Sequence, residues 1–218
     1  MNPLQIVTDT TVVIPTHPGR ETMLARAELS VRQQTITPGA TIVSYDRSGA
    51  GAAETRDRGL HRVRTGWVAF LDSDDWFYPE HLEFLALAAL ETHADYVYSY
   101  FTVHDAWEAA RPDIDPLGLF GHVFDPLAPT QTTTTILVKT DLAQTVGFHT
   151  QPIGKIIPGV NLRHGEDYQF TLDCVAQGAA IVHLPRRTWA WRHHGLSSSG
   201  IAGRGDAPPP GPALTGWP

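Results

Sequence analysis

The sequence has few of the features that mark several large protein classes. Its one cysteine, Cys174, excludes an internal disulfide and a cysteine-based zinc site. No apolar run approaches the ~18 residues of a membrane span, and the N-terminus lacks the charged-then-apolar plan of a signal peptide. Only two lysines are present, the net charge is −7 and there is no long basic run, so we expect no nucleic-acid partner. These absences predict a soluble, cytoplasmic protein.

The most informative stretch is an apolar run that ends in acids. Residues 68–71 are apolar and are followed by Asp72, Asp74 and Asp75, which indicates a buried strand of the parallel-sheet type. Ligands of open α/β sheets bind beyond the carboxyl ends of the strands. Acids this close repel one another unless a cation or polar ligand lies among them. The Asp72–Asp74 spacing suits Mg²⁺ or Mn²⁺, which bind carboxylates together with substrate phosphates.

A second interpretation of the acids is purely structural. The residues after Asp75 predict a helix, and Pro79 suits the first position of one. The acids would then be the N-cap region of that helix, where the helix dipole favours negative charge. Both interpretations stay open at this point.

The order of the elements predicts an α/β fold. Short apolar strands at 11–16, 41–46 and 68–71 alternate with helices at about 20–34 and 51–65, and such alternation is typical of a parallel sheet with right-handed crossovers. Thr16, Asp46 and Asp72 should therefore project from one edge of the sheet.

The rest of the chain predicts further elements. Further strands are predicted at 95–103, 132–138, 179–184 and 189–194, and further helices at 79–92, from 139 to 146 and at 166–177. Residues 104–131 fit no regular element, and residues 200–218, rich in glycine and proline, predict a flexible tail after a single domain over residues 1–199.

Two further patterns carry chemistry. Gly49 and Gly51 follow a strand and open a helix, with Asp72 about twenty residues later, which imitates a dinucleotide-binding fingerprint. Glu54 stands where the third glycine belongs, so this alternative is disfavoured. Glu166 and Asp167 lie in the first turn of a predicted helix, where they either complement the helix dipole or project into a cleft as a general base.

Taken together, these residues resemble glycosyltransferase family 2, whose members have the GT-A fold. The resemblance covers roughly residues 10–199 and rests on an ordered set of motifs: residues 12–16 (VVIPT), Asp46, residues 54–59 (ETRDRG), residues 70–75 (FLDSDD), Pro79, residues 147–148 (GF), residues 166–167 (ED) and residues 191–194 (WRHH). Two departures are that Asp57 stands where the family usually has Asn, and that the chain is short.

The resemblance implies a mostly parallel GT-A-like domain and an inverting, metal-dependent transferase. It would move a sugar from a nucleotide sugar, most simply a UDP-sugar, to an acceptor hydroxyl, with Mn²⁺ or Mg²⁺ as cofactor. Asp167 would be the catalytic base, supported by Glu166 and Arg192. Asp74 and His194 would bind the metal, with Asp72 and His193 as further candidates. The donor nucleotide would be bound by Pro15, Thr16, Asp46, Arg56, Asp72 and Ser73.

Two other functions are compatible with the same residues. A metal-dependent nucleotidyltransferase also gathers aspartates at a sheet edge, although it has no need of Asp167. A non-catalytic nucleotide-binding or sugar-binding domain could keep the fold without turnover. Adjacent side chains on a strand point to opposite faces, so at most one of His193 and His194 would reach the metal.

Overall fold

One mixed eight-stranded sheet runs through the computed structural model, which describes residues 2–104, 109–130, 132–149 and 165–192. The strands are β1 (Thr10–Thr16), β2 (Ala40–Tyr45), β3 (Trp67–Phe70), β4 (Trp76–Phe77), β5 (Tyr96–His104), β6 (Ala110–Arg111), β7 (Ile136–Lys139) and β8 (Ile181–Arg192). The helices are α1 (Pro3–Thr8), α2 (Glu21–Arg32), α3 (Ala52–Leu60), α4 (His81–Thr92), α5 (Thr140–Val146) and α6 (Glu166–Ala176). The order in the sheet is β2-β1-β3-β7-β5-β8-β4, with β6 on β5.

The first half of the sheet has the predicted parallel arrangement. β1 is buried along its whole length and pairs in parallel with β2 and β3. Its side chains alternate between two cores, because successive residues of a strand face opposite sides. Val12 and Ile14 pack in the core that contains α2, and Val13 packs in the core that contains α3. The carboxyl ends of β1, β2 and β3 therefore share one edge, as predicted.

The second half of the sheet is mixed. β7 lies antiparallel between β3 and β5, β5 pairs in parallel with β8, and β8 pairs antiparallel with β4. The predicted α/β class is confirmed, and the parallel pairings are the longest ones. The two strands predicted at 179–184 and 189–194 form the single strand β8, with register shifts opposite residues 99–101 of β5.

The helix predicted at 79–92 is present as α4, which begins at His81 with Glu80 as its N-cap residue. Between the acids and this helix, Trp76 and Phe77 form a short strand that was not predicted, paired with Ala190 and Trp189 of β8. This pairing with a strand more than one hundred residues away in sequence makes the two residues extended. The acids are thus not an N-cap region, and the structural interpretation of them fails.

Two predicted boundaries differ from the structure, and two other predictions concern membrane spans and the tail. The helix predicted at 51–65 ends at Leu60, and the strand predicted at 132–138 begins only at Ile136. Among the described residues, no helix is both long enough and apolar enough to cross a membrane. The predicted tail at 200–218 lies outside the described residues.

Candidate active site

The three acids that follow β3 form one cluster. Asp72, Asp74 and Asp75 each offer a carboxylate oxygen within 4.8 Å of the others. The backbone N–H of Asp75 donates a hydrogen bond to Asp72 O at 3.1 Å, which closes the turn. An all-carboxylate set with this spacing fits a hard divalent cation such as Mg²⁺ or Mn²⁺. The chemistry of the side chains therefore suits the predicted metal at Asp74 and Asp72.

Asp75 belongs to this cluster but was not among the predicted site residues. It is 3% exposed, and burial, together with the negative charges of Asp74 and Asp72, holds the pKa of its carboxyl well above the usual range. Its Oδ1 accepts a hydrogen bond from the backbone N–H of Arg192 at 2.9 Å. The backbone of Arg192, the last residue of β8, is thereby held beside the acids, and its predicted supporting role stays a prediction. His193 and His194 lie outside the described residues.

Arg56 joins the acidic cluster to the start of α6. Its Nη2 donates to Asp72 Oδ1 at 2.6 Å, and its Nη1 donates to Glu166 Oε1 at 2.5 Å and to Asp167 Oδ1 at 3.0 Å. The guanidinium is 5% exposed, and the three carboxylates are about a quarter exposed. Two motifs that lie more than one hundred positions apart in sequence, residues 54–59 and 166–167, thus meet at the guanidinium of Arg56.

The charges in this group shift one another's protonation. Burial raises the pKa of Asp167 to about 7, the attraction of Arg56 lowers it, and the negative charges of Glu166 and Asp72 raise it further. Burial lowers the pKa of Arg56, but the surrounding carboxylates outweigh burial, so its pKa rises and the guanidinium stays charged. The pKa of the Asp167 carboxyl therefore lies above the usual range of an aspartate.

Asp74 has a different basic neighbour. Arg20, the residue that precedes α2, contacts Asp74 Oδ2 through its Nη1 at 2.8 Å. The acids are thus flanked by Arg56 on the side of α3 and by Arg20 on the side of α2. A sequence reading cannot identify Arg20 as a partner, because nothing in its spacing points to residue 74.

The predicted donor residues line the adjoining edge. Asp46 follows β2, and its carboxylate accepts hydrogen bonds from the backbone N–H groups of Ser48, Ala50 and Gly51. The bonds from Gly51 and Ala50 lower its pKa to about 2. Thr16 is buried at the end of β1, and its Oγ1 has no hydrogen-bond partner in the described part of the chain.

The remaining predicted donor residues are also near this edge. Pro15 is buried beside Ser44 of β2, and Ser73 is 2% exposed inside the acidic run. The edge therefore brings together Pro15, Thr16, Asp46, Arg56, Asp72 and Ser73, although Nη1 and Nη2 of Arg56 donate to carboxylates in this state.

Asp57, the residue that departs from the family pattern, has a structural contact. Its Oδ1 accepts a hydrogen bond from Phe148 N–H at 3.1 Å. The Phe148 ring stacks on Phe170 at 4.4 Å and lies edge-on to Phe70 at 5.0 Å. An Asn side chain has the same acceptor oxygen, so Asp57 keeps the contact that ties α3 to the 147–148 turn.

Comparison with known proteins bears on the same region. Residues 37–136 match the family described as glycosyl transferase family 2. The predicted resemblance to glycosyltransferase family 2 is confirmed. This family 2 region contains β2, α3, β3 and the acidic cluster, and so includes Arg56 and Asp74. No curated protein sequence matches the chain.

Solved structures of Staphylococcus aureus TarS have a similar fold. TarS 1–349 in complex with UDP has a TM-score of 0.64 and 17% identity, over 85% of this chain and 60% of that one. TarS 1–349 in complex with UDP-GlcNAc gives 0.65 and 16%, over 89% and 61%. A further crystal structure of TarS gives a TM-score of 0.64 and 18% identity, over 84% of this chain and 36% of that one. The GT-A-like fold is therefore confirmed, and the chain spans about 60% of the length of the TarS 1–349 structures.

Proposed function

We propose that this protein is an inverting glycosyltransferase that moves a sugar from a nucleotide-diphosphate sugar, a UDP-sugar in the first instance, to an acceptor hydroxyl. The observation that carries the proposal is the group formed by Arg56, Asp72 and Asp167. It joins a metal-type acidic cluster to a carboxyl whose pKa lies near neutral pH. We also propose that residues 1–199 are the transferase domain.

The acidic cluster is the proposed diphosphate end of the site. Asp74 and Asp72 would hold Mn²⁺ or Mg²⁺, with Asp75 as a third candidate, and the bound ion would supply positive charge beside the leaving diphosphate. Arg20 already neutralises part of the charge of Asp74. Arg56 does the same for Asp72, so the acids tolerate each other before any ligand arrives.

Asp167 is the proposed general base. As the acceptor oxygen attacks the anomeric carbon, its proton passes to the Asp167 carboxylate, and the bond between that carbon and the diphosphate oxygen breaks with its electron pair on the diphosphate. Attack from the face opposite the leaving group inverts the configuration. A base is most effective when its pKa is near the working pH, which the raised pKa of Asp167 satisfies.

The nucleotide is proposed to lie along the carboxyl ends of β1 and β2. Asp46 holds the loop that leads into α3 through three backbone hydrogen bonds, so the loop is fixed before the ligand arrives. The buried hydroxyl of Thr16 is available as a donor or acceptor at the same edge. TarS binds UDP and UDP-GlcNAc in its crystal structures, which supports UDP as the first nucleotide to test.

Two measurements test this proposal. In the first, the melting temperature is recorded with a panel of nucleoside diphosphates, each with and without Mn²⁺. We expect UDP with Mn²⁺ to raise it, because a ligand that binds the native state stabilises that state by mass action. In the second, the product released from a bound UDP-sugar is identified. Release of UDP is expected from a glycosyltransferase, whereas release of pyrophosphate from a nucleotide substrate would indicate a nucleotidyltransferase.

A further inference from the structure

Three buried hydroxyl groups meet beneath the proposed base. Tyr96 OH lies 2.6 Å from Thr132 Oγ1 and 3.3 Å from Thr171 Oγ1, and the two threonine oxygens are 2.9 Å apart. All three residues are at most 2% exposed. We call Tyr96, Thr132 and Thr171 the hydroxyl triangle.

The triangle is polar where the surrounding core is not. Tyr96 packs among Phe70, Phe170 and Val138, a setting in which Phe and Val side chains would fill the same space without hydroxyl groups. A buried hydroxyl costs free energy unless it is hydrogen-bonded, and here each hydroxyl lies within hydrogen-bond distance of the other two. Such a network favours one arrangement of the elements that carry it.

The triangle joins three parts of the chain. Tyr96 belongs to β5, inside the sheet between β7 and β8. Thr171 belongs to α6, and its Oγ1 also donates to Asp167 O at 3.1 Å. Thr132 begins the irregular run of threonines before β7, in which Thr134 Oγ1 donates to Asp72 Oδ2 at 3.4 Å. Two of the three acidic residues that Arg56 contacts thus have a neighbour in these segments, Asp167 through its backbone carbonyl and Asp72 through its carboxylate.

The start of α6 has no side-chain cap. Its N-cap residue is Gly165, and the described residues provide no side-chain hydrogen bond to the cap. Glycine supplies no side-chain acceptor for the free N–H groups of the first turn, so contacts from other parts of the chain hold that turn in position. Beyond Arg56, the first turn is held by Thr171 and by Tyr168, whose hydroxyl donates to Pro129 O at 2.8 Å.

We propose that the hydroxyl triangle is a positioning element for the transfer reaction, which fixes Asp167 relative to Asp72 and Arg56. This inference rests on the proposed function of Asp167 as the base. None of the three hydroxyls is expected to touch substrate. Their effect on the reaction is through the position of the first turn of α6.

The first test compares kinetics with nucleotide binding. Thr171→Val and Tyr96→Phe remove a hydroxyl with little change of shape, and each should lower kcat about tenfold, because a base displaced by a fraction of an ångström loses its alignment. The Kd for UDP with Mn²⁺ should stay within about twofold. Thr171→Ser keeps the hydroxyl and should keep most of kcat. Tyr98→Phe, on the same face of β5, is the matched control and should leave kcat unchanged.

The outcomes separate this inference from the proposed function. If the wild type turns over and Thr171→Val has wild-type kcat with a lower melting temperature, the triangle is only structural and the inference fails. If the wild type releases no UDP from any UDP-sugar, the proposed function fails. The position of the base is then still tested by a crystal structure of Thr171→Val. We expect the Arg56 Nη1–Asp167 Oδ1 distance of 3.0 Å to lengthen by about 0.5 Å, and an unchanged distance would overturn the inference.

Discussion

At the scale of single residues, Arg56 has the largest effect on the charge of the site, because its buried guanidinium forms ion pairs with Asp72, Glu166 and Asp167. Arg56→Met should lower the free energy of unfolding at pH 7.5 by about 2–3 kcal/mol, since it leaves three partly buried carboxylates without their partner. Urea unfolding measures the loss. Arg58→Met removes an exposed pair with Glu54 on the same helix and should cost less than about 0.5 kcal/mol.

The loss in Arg56→Met should depend on pH in a defined direction. Arg56 lowers the pKa of Asp167 against the effect of burial, so without the arginine the folded-state pKa of Asp167 lies further above its unfolded value of about 4. The variant then regains its relative stability as the pH falls toward about 4 and loses it as the pH rises through the folded-state pKa of Asp167. A penalty that is independent of pH, or the absence of a penalty at pH 7.5, would contradict the role of Arg56 given above.

Asp167 leads to a prediction for the pH dependence of the reaction. Burial raises its pKa to about 7, and a base must be deprotonated to accept a proton. We expect kcat/KM for UDP release to rise with pH and to level off above about pH 7. The Kd for UDP, measured over the same range, separates binding from chemistry. A profile that levels off near pH 4, as an ordinary carboxyl would give, would exclude Asp167 in this environment as the base.

Asp74 leads to a prediction for the metal. Asp74→Ala removes one of the clustered carboxylates and should weaken UDP binding in the presence of Mn²⁺ by about 10–100-fold, the range seen when support of a metal site is lost. Without Mn²⁺, the wild type and Asp74→Ala should have the same Kd for UDP. Glu54→Ala removes an exposed carboxylate outside the cluster and is the control. Calorimetric titration measures all of these affinities, and an unchanged Mn²⁺ effect in Asp74→Ala would remove Asp74 from the metal site.

At the scale of elements, α3 lies unusually close to the sheet. A Cβ on Gly59 would come within 2.5 Å of Val13 Cγ1 and 3.2 Å of Ser44 Cβ, and neither neighbour is the far end of a flexible side chain. Alanine is the better helix former by about 1 kcal/mol, but overpacking here should outweigh that gain and lower the free energy of unfolding by about 1–3 kcal/mol. A Gly59→Ala variant as stable as the wild type in urea would show that α3 can move away from the sheet.

Elements defined by local patterns were predictable, and those defined by distant partners were not. The apolar stretch of β1, the helical spacing of α6 and the acids after β3 are visible within a few residues, so the sequence locates them. β4 consists of two residues that are extended because β8 pairs with them, and the local sequence around Pro79 favours a helix instead. The threonines at 132–135 read as strand by composition, yet Thr132 and Thr134 contribute hydroxyl contacts ahead of β7.

At the scale of the whole molecule, the sequence predicted which strand ends share one edge of the sheet but not which side chains pair there. Parallel strands end at one edge, so the proximity of Asp46 and Asp72 follows from strand order. The ion pairs of Arg56 with Asp167 and of Arg20 with Asp74 join residues that are 111 and 54 positions apart. Only the folded chain shows these pairings, because side-chain partners at such separations leave no periodic signal in the sequence.

In the proposed mechanism, one set of residues binds the donor and a different residue, Asp167, takes the proton. The most direct measurement is UDP release by Asp167→Asn, together with its affinity for UDP in Mn²⁺. Asn keeps the shape and the oxygen acceptor but cannot take a proton at neutral pH. We predict that turnover falls at least about 100-fold while the Kd for UDP stays within about twofold. Turnover at the wild-type rate in Asp167→Asn would contradict the proposed mechanism.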